Sequence, residues 1–247
     1  MVVDFLRAFT FVFSDRHWLI KLAKPALLVL LCPLPVVGLF CLCALLGCLA
    51  EIAHNVSNDY PRPLPAWNHI GQDIRKGAPV LLALIVYHLP PLGLITLLYF
   101  LRGSLAVSLF GSLTFTGLLA AIMPFLMIFF AFAWSLLAIG LVYYADNWEA
   151  GAFFQFSKLL RSMGRDSVLT AQWLVASLAA SMLLLILLPL APFLFFPVQG
   201  YLAGVYGRRL RAAWMAARNA NTAHNERNAL RFAKPDGRAP LPSKLSA

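Results

Sequence analysis

Histidine, cysteine and acidic side chains are the groups in this sequence that could bind a metal or carry a proton. Among 247 residues there are 5 histidines, 4 cysteines and 10 acidic residues. No C-x-x-C pair is formed by the cysteines, which are Cys32, Cys41, Cys43 and Cys48. Neither H-E-x-x-H nor G-x-S-x-G occurs, and no aspartates are paired. The sequence therefore predicts no metal site, no cofactor, no catalytic residue and no enzyme.

Three polar side chains lie within or at the ends of long apolar stretches and are candidate intramembrane polar residues. His88 precedes Pro90 and Pro91, so it could carry a proton or bind a substrate, or it could hydrogen-bond a carbonyl that the prolines leave free. Asp146 ends an apolar run and could meet headgroups and water, and Gln199 lies inside another run. Because burial of such groups is costly, each is a candidate site residue.

The elements that must position these residues are membrane-spanning helices. The chain is 61% hydrophobic and only 12% charged, with a mean hydropathy of +0.77. Four apolar runs, 25–50, 77–101, 103–145 and 167–207, are long enough to span a bilayer, and the last two are long enough to do so twice. The sequence predicts an all-α, polytopic membrane protein with about six transmembrane helices.

Amphipathic segments alternate with the apolar runs. Near residues 2–14, 65–76 and 149–163, apolar side chains recur at helical spacing on one face, with basic side chains elsewhere. Such helices settle at the headgroup boundary, although a short helix packed on protein would show the same pattern. The order suggests three repeats of an amphipathic helix followed by a transmembrane hairpin.

Lysine and arginine positions indicate the orientation. The sequence after Gly207 holds nine of the 20 basic residues, and four more precede the first apolar run, so both termini are expected in the cytoplasm. In a three-hairpin arrangement, 51–77 and 146–167 face the same side. In the alternative arrangement, residues 51–77 lie outside the cell and the run 103–145 folds back on itself near Pro124. The count of basic residues favours three hairpins.

Residues 1–219 are interpreted as one membrane domain and residues 220–247 as a basic, disordered cytoplasmic tail. Gly200, Gly204 and Gly207 share one helix flank and predict close helix packing. The tail is expected to contact anionic lipid headgroups rather than nucleic acid, because it shows no aromatic interleaving and no recognisable nucleic-acid-binding fold. A second copy or another membrane protein is a further expected partner.

Several phrases of the sequence are similar to a known family. They are LPAWNHIGQDIRKG, the later YHLPP, YYADNWEAGAFFQFSKLL and GYLAGVYGRRLRAA. Together they resemble the bacterial membrane family catalogued as domain of unknown function 4013, over about Phe9 to Ala213. Its most specific piece is a short motif with two following glycines, here Leu64, Pro65, Trp67, Gly71 and Gly77. The resemblance implies a multi-pass protein of the bacterial inner membrane and supplies no biochemical activity.

Two functions remain after this reading. The visible features are those of a non-enzymatic structural, accessory or lipid-interacting membrane protein. A small-molecule or lipid transporter, or a permease component, is the alternative, since His88, Gln199 and scattered hydroxyls could line a path. Loss of a proton-coupled flux in a folded His88→Ala variant would favour the transporter.

Overall fold

The computed structural model describes residues 2–67, 69–105 and 112–233. Within them lie α1 (Val2–Thr10), α2 (Trp18–Leu31), α3 (Pro35–Ser57), α4 (Ile70–Leu105), α5 (Ser112–Asn147), α6 (Phe156–Arg165), α7 (Ser167–Ile186) and α8 (Ala191–Ala233). Short 3₁₀ helices cover Phe11–Ser14, Ala150–Phe154 and Leu188–Leu190. Contacts divide the chain into two units, Met1–Arg208 and Arg209–Ala247.

Five helices in the described residues are long and apolar enough to cross a membrane. They are Pro35–Ser57, Ile70–Phe100, Ala120–Asn147, Ser167–Ile186 and Leu188–Glu226. The predicted all-α, polytopic class is therefore confirmed. The count is one below the six or so expected because α2 has only 14 residues. At 1.5 Å per residue it extends about 21 Å, less than the roughly 30 Å hydrocarbon core.

The helices follow the order expected of three hairpins. Residues 32–34 join α2 to α3, and residues 187–190 join α7 to α8. The α4–α5 connection falls at 106–111, outside the described residues. Since α5 passes through Pro124 without a break, the alternative fold-back near Pro124 is not what the chain does.

The second amphipathic segment differs from the prediction. A helix was expected at 65–76, but α4 begins at Ile70 and continues directly into the span. Trp67 has a positive φ of 53°, which lies outside the conformations of right-handed helices. Ile70 is exposed, whereas Asp73, expected on the polar side, is buried. The face of α4 that packs on protein therefore differs from the predicted one.

Helices α3 and α4 touch through their backbones. A Cβ atom added at Gly47 would overlap the carbonyl group of Asp73, and one added at Gly77 would overlap that of Cys43. These four residues are called the α3–α4 seam below. Because neither glycine has a side chain, the two helix axes approach more closely than larger residues would allow.

Glycines of α8 also lie at helix contacts. A Cβ added at Gly200 would lie 2.9 Å from the carbonyl oxygen of Leu49, and one added at Gly204 would lie 2.6 Å from Cβ of Val56. Gly207 lies against Val142 of α5 in the same way, at 3.1 Å from its methyl groups. All three glycines of the predicted flank therefore face neighbouring helices.

The second unit is helical through Ala233, so the expected disorder from residue 220 onward is wrong for 220–233. The sequence from Arg208 to Ala233 is rich in alanine and contains neither glycine nor proline. Alanine has the highest intrinsic helix propensity, which explains the continued helix. Residues 234–247 of the predicted tail lie outside the described residues.

Candidate functional site

The amino-terminal segment is bound to the loop before α4 by two lysines. Lys21 Nζ lies 2.7 Å from Asp15 Oδ2 and donates to the carbonyl oxygen of Leu64 at 3.1 Å. Lys24 Nζ donates to the carbonyl oxygen of Trp67 at 3.3 Å. The hydrogen bond from Lys21, and a second from the backbone N–H of His17, lower the pKa of Asp15 below its ordinary value.

The motif predicted from the family resemblance therefore has a packing role. Leu64, Pro65 and Trp67 are buried in the protein. The loop is also held by Asn55, whose side-chain amide donates to the carbonyl oxygen of Pro63 at 3.0 Å. Gly71 is exposed, and a Cβ there would meet nothing within 4 Å. The buried side chains of this loop and the two lysine bonds fix where α4 begins.

A second set of contacts joins the ends of α3, α4 and α5. Lys76 Nζ forms an ion pair with Glu51 Oε2 at 2.7 Å and lies 4.8 Å from the ring centroid of Trp148. The Tyr144 hydroxyl donates to the carbonyl oxygen of Lys76 at 2.7 Å. The Nδ1 atom of His54 lies 2.6 Å from the carbonyl oxygen of Ala145. Arg208 of α8 pairs with Asp59, so four helices meet here.

We call this region, from the Asp15–Lys21 pair to the Glu51–Lys76 pair, the polar end of the bundle. It contains Asp146, which is half-buried in the last turn of α5. The amino-terminal segment, the segment 51–77 and the beginning of the segment 146–167 therefore lie together at one end, through Lys21 with Leu64 and Lys76 with Trp148. This geometry agrees with the three-hairpin arrangement and not with the alternative.

Asp73 is a site residue that the sequence reading missed. Its side chain is 6% exposed, and Oδ2 has no hydrogen-bond partner. Asp73 precedes Gly77 by four residues, so both lie on the face of α4 that packs on α3. That spacing is the signal that could have found it. Within the described ranges, no three His, Cys, Asp or Glu side chains are placed to hold a metal ion.

His88 makes a local contact. Its Nδ1 atom lies 2.7 Å from the carbonyl oxygen of Leu84, one turn earlier, and its ring centroid lies 5.6 Å from that of Phe130. The accepting carbonyl is not one of the two that Pro90 and Pro91 leave without an N–H partner. The observed contacts therefore give His88 a structural environment within its own helix and against α5.

Gln199 lies in a buried polar network between α7 and α8. The Ser177 hydroxyl donates to Gln199 Oε1 at 2.6 Å. Gln199 Nε2 donates to the Ser177 carbonyl at 3.2 Å and to the Ser181 hydroxyl at 3.0 Å. Trp134 Nε1 reaches the Ser177 hydroxyl at 3.4 Å. Both polar atoms of Gln199 are thus satisfied by protein, as buried polar atoms normally are.

Beside this network lies a cavity of about 240 Å³, called the central cavity below. Its wall comes from α3, α4, α5, α7 and α8 and is apolar apart from Gln199 and two indole rings, those of Trp134 and Trp173. The Trp173 side chain is buried, and its Nε1 has no hydrogen-bond partner. Sequence reasoning could not find this cavity, because five separate helices define it.

The family described as "Protein of unknown function (DUF4013)" matches residues 27–190, about two thirds of the chain. No curated protein matches, and no solved structure does. The matched range includes the α3–α4 seam, the buried Leu64–Trp67 loop, Asp146 and Trp173. The resemblance seen in the sequence is confirmed, and the chain belongs to the DUF4013 family.

Proposed function

We propose that this protein is a non-enzymatic, lipid-interacting accessory protein of the bacterial inner membrane. The observation that carries the proposal is the meeting of the three polar segments at one end of the bundle. Lysine and arginine in short loops favour the cytoplasmic side, so the polar end faces the cytoplasm. Both termini lie on that side, and the basic residues lie at the level of the inner-leaflet headgroups.

Helix α6 supports this proposal through its exposed side chains. Phe156 and Leu160, one turn apart, are 43% and 44% exposed. Arg161 and Arg165 are exposed as well, and Lys158 lies with its Nζ 4.2 Å from the ring centroid of Tyr143. A helix that exposes both apolar and basic side chains is suited to the boundary between hydrocarbon and headgroups. The apolar side chains would face acyl chains and the basic ones would face phosphate.

The helical second unit adds basic charge on the same chain. Its described residues include five arginines and one acidic residue, Glu226. Each basic residue near an anionic surface contributes about 1 kcal/mol to the attraction. The proposed partner of the second unit is therefore the anionic inner leaflet.

The experiment compares thermal unfolding of the full chain in nanodiscs of phosphatidylcholine with and without about 30% phosphatidylglycerol. The wild type is expected to be more stable with the anionic lipid. Reversal of charge in α6, by Lys158→Glu, Arg161→Glu and Arg165→Glu together, should remove up to about 3 kcal/mol of that difference. The charge-conserving exchange of lysine and arginine at the same positions is the matched control. An equal response of both variants to phosphatidylglycerol would contradict the proposal.

A further inference from the structure

Two basic side chains at the polar end have no acidic partner among the described residues. Lys24 makes one hydrogen bond there, the 3.3 Å bond to the carbonyl oxygen of Trp67, and Arg62 makes neither a hydrogen bond nor an ion pair. Both residues are exposed. Since an ammonium group has three N–H donors and a guanidinium group has five, most of their donors can bind a ligand.

The acidic residues near these two cations already have partners. Asp15 is 7% exposed and is paired with Lys21 at 2.7 Å. Asp59 is the acidic residue nearest to Arg62 along the chain, and it pairs with Arg208. The two cations without an acidic partner therefore give this part of the polar end an excess of positive charge.

Other contacts show that the two cations lie near the same junction. Lys21 of α2 bonds both Asp15 and the carbonyl oxygen of Leu64, so α2 meets the loop before α4 at this point. Arg62 belongs to that loop, and its guanidinium lies close enough to Asp15 to act on it electrostatically. Lys24 follows Lys21 by three residues, on the same side of α2. Both cations therefore lie where α2 and the loop meet.

Exposed apolar side chains continue from this junction along α2. Ile20, Lys24 and Leu27 follow the i, i+4, i+7 spacing and share a face of the helix. Ile20 and Leu27 are 64% and 59% exposed. From Pro25 to Leu31 the helix contains no charged residue. A molecule bound along this face would contact the cations at one end and aliphatic side chains beyond them.

A phospholipid has its chemical groups in the same order. Its phosphate lies at the headgroup level, and its acyl chains extend from there into the hydrocarbon core. Hydrogen bonds from lysine or arginine to phosphate are stronger than those to a neutral carbonyl oxygen, and basic groups at the cytoplasmic ends of membrane helices bind anionic headgroups. An acidic protein segment would match the cations but not the aliphatic side chains that adjoin them.

We propose that Lys24 and Arg62 bind the phosphate of an anionic phospholipid, one acyl chain of which lies along Ile20 and Leu27. The inference deepens the proposed lipid contact and rests on it for the cytoplasmic orientation. It places a defined lipid site at α2, in addition to the contacts of α6 and of the helical second unit. Lys24 keeps its bond to the Trp67 carbonyl, while its other donors bind the phosphate.

The test is photolabelling of the full chain in phosphatidylcholine vesicles that contain phosphatidylglycerol with a diazirine on one acyl chain, close to the ester. Peptide mapping should find adducts on Ile20 and Leu27. Lys24→Gln should lower the yield of these α2 adducts about fivefold, whereas Lys24→Arg keeps the charge and should change it by less than about twofold. Adducts on α6 in the same sample are the internal reference.

A second variant keeps the test decisive if Lys24→Gln folds poorly. Arg62→Gln removes a side chain that makes no hydrogen bond within the described ranges, and should also lower the α2 adducts about fivefold. Arg75→Gln is the matched control, because it removes an equal charge from an exposed position of α4, and should change them by less than about twofold.

Three results would overturn the α2 site. The first is equal labelling of α2 in the wild type, Lys24→Gln and Arg62→Gln. The second is loss of the α2 adducts when inorganic phosphate replaces chloride at constant ionic strength, which would assign the cations to a soluble phosphate. The third is equal labelling of α2 by a phosphatidylcholine probe that carries the same diazirine.

Thermal unfolding with and without phosphatidylglycerol separates this inference from the proposed function. Adducts on α2 that depend on Lys24, together with no stabilisation by phosphatidylglycerol, would leave the α2 site standing and overturn the proposed function. Stabilisation that is removed by charge reversal in α6, together with α2 adducts that do not depend on Lys24 or Arg62, would overturn the α2 site alone.

Discussion

The α3–α4 seam and the central cavity both involve α3 and α4 and differ in how they are built. In the seam, Gly47 and Gly77 bring two backbones into contact, and no side chain fits between them. In the cavity, large side chains such as Trp134, Trp173 and Phe195 stand around space that they do not fill. The seam residues are small or polar, whereas the cavity wall is formed mostly by leucine and aromatic side chains, so the size of the side chains decides which region is tight.

The difference shows which region is closely packed and which leaves open space. Small residues in a membrane helix allow close van der Waals packing, which drives association where lipid is as apolar as the side chains. Bulky residues at a junction of five helices leave a gap whose lining loses van der Waals contacts. Substitutions of glycine should therefore damage the seam, and substitutions that add volume should be tolerated at the cavity.

The largest effect is expected at Gly77. Gly77→Ala places a methyl group on the Cys43 carbonyl, so the helices must separate, at a cost of about 3 kcal/mol. Gly71→Ala, in the same helix with open space around it, should be neutral or stabilise by up to about 1 kcal/mol. Thermal unfolding of both variants in detergent measures the difference. Equal stability of the two would contradict the description of the seam.

A smaller effect of opposite sign is expected at the cavity. Ala138→Leu adds three carbons to the open space and should stabilise the detergent-solubilised protein by up to about 2 kcal/mol. Ala180→Leu adds the same volume at a fully buried position outside the cavity wall, and should destabilise by about 1 to 3 kcal/mol. Urea or thermal unfolding compares them. A loss of stability in both variants would show that the cavity cannot accommodate the added side-chain atoms.

Loss of the Asp73 charge should change the free energy of unfolding by about 1 kcal/mol. Its carboxylate is buried at the seam with Oδ2 unsatisfied, and burial of a charge costs more than burial of an amide. Asp73→Asn should therefore raise the free energy of unfolding at pH 7. Glu51→Gln, which breaks the partly exposed ion pair with Lys76, should lower it. A marked destabilisation by Asp73→Asn would contradict this expectation. It would mean that a partner compensates the charge of the buried carboxylate.

The smallest effect concerns Asp15, whose pKa is lowered by its hydrogen bond from Lys21. A group with a lowered folded-state pKa contributes stability above its unfolded pKa, about 3.9, and loses it as pH falls through the folded-state value. Asp15→Asn should therefore cost less than about 1 kcal/mol near pH 7 and nothing well below pH 4. Stability curves at both pH values check this. A constant difference between wild type and variant would rule out the ion pair as its cause.

Part of this molecule could be predicted from sequence because it depends on local patterns. The glycines at 200, 204 and 207 follow helical spacing and so share a flank, whatever they contact. The alternation of polar segments and apolar runs along the chain likewise predicts the hairpins. The all-helical class follows from the same patterns, whereas family membership came from the resemblance of short phrases, such as the one around Leu64 and Trp67, to a known family.

The rest depends on how separate helices are placed. The face of α4 was misread because Trp67 was assumed to be helical, which turned Asp73 to the wrong side. The pairing of Gly47 with Gly77 needs the register of α3 against α4, which no single segment encodes. The unpartnered Trp173 and the space beside it appear only when five helices are assembled.

The most direct test of the account asks whether the polar segments share one side of the membrane. Single cysteines at Asn58 and Ser157, both exposed, are introduced after replacement of the four native cysteines by alanine. Intact cells are then treated with a membrane-impermeant maleimide. The account predicts that both sites are protected until the membrane is permeabilised. Labelling of one site but not the other in intact cells would contradict the single polar end, and labelling of both would contradict its cytoplasmic orientation.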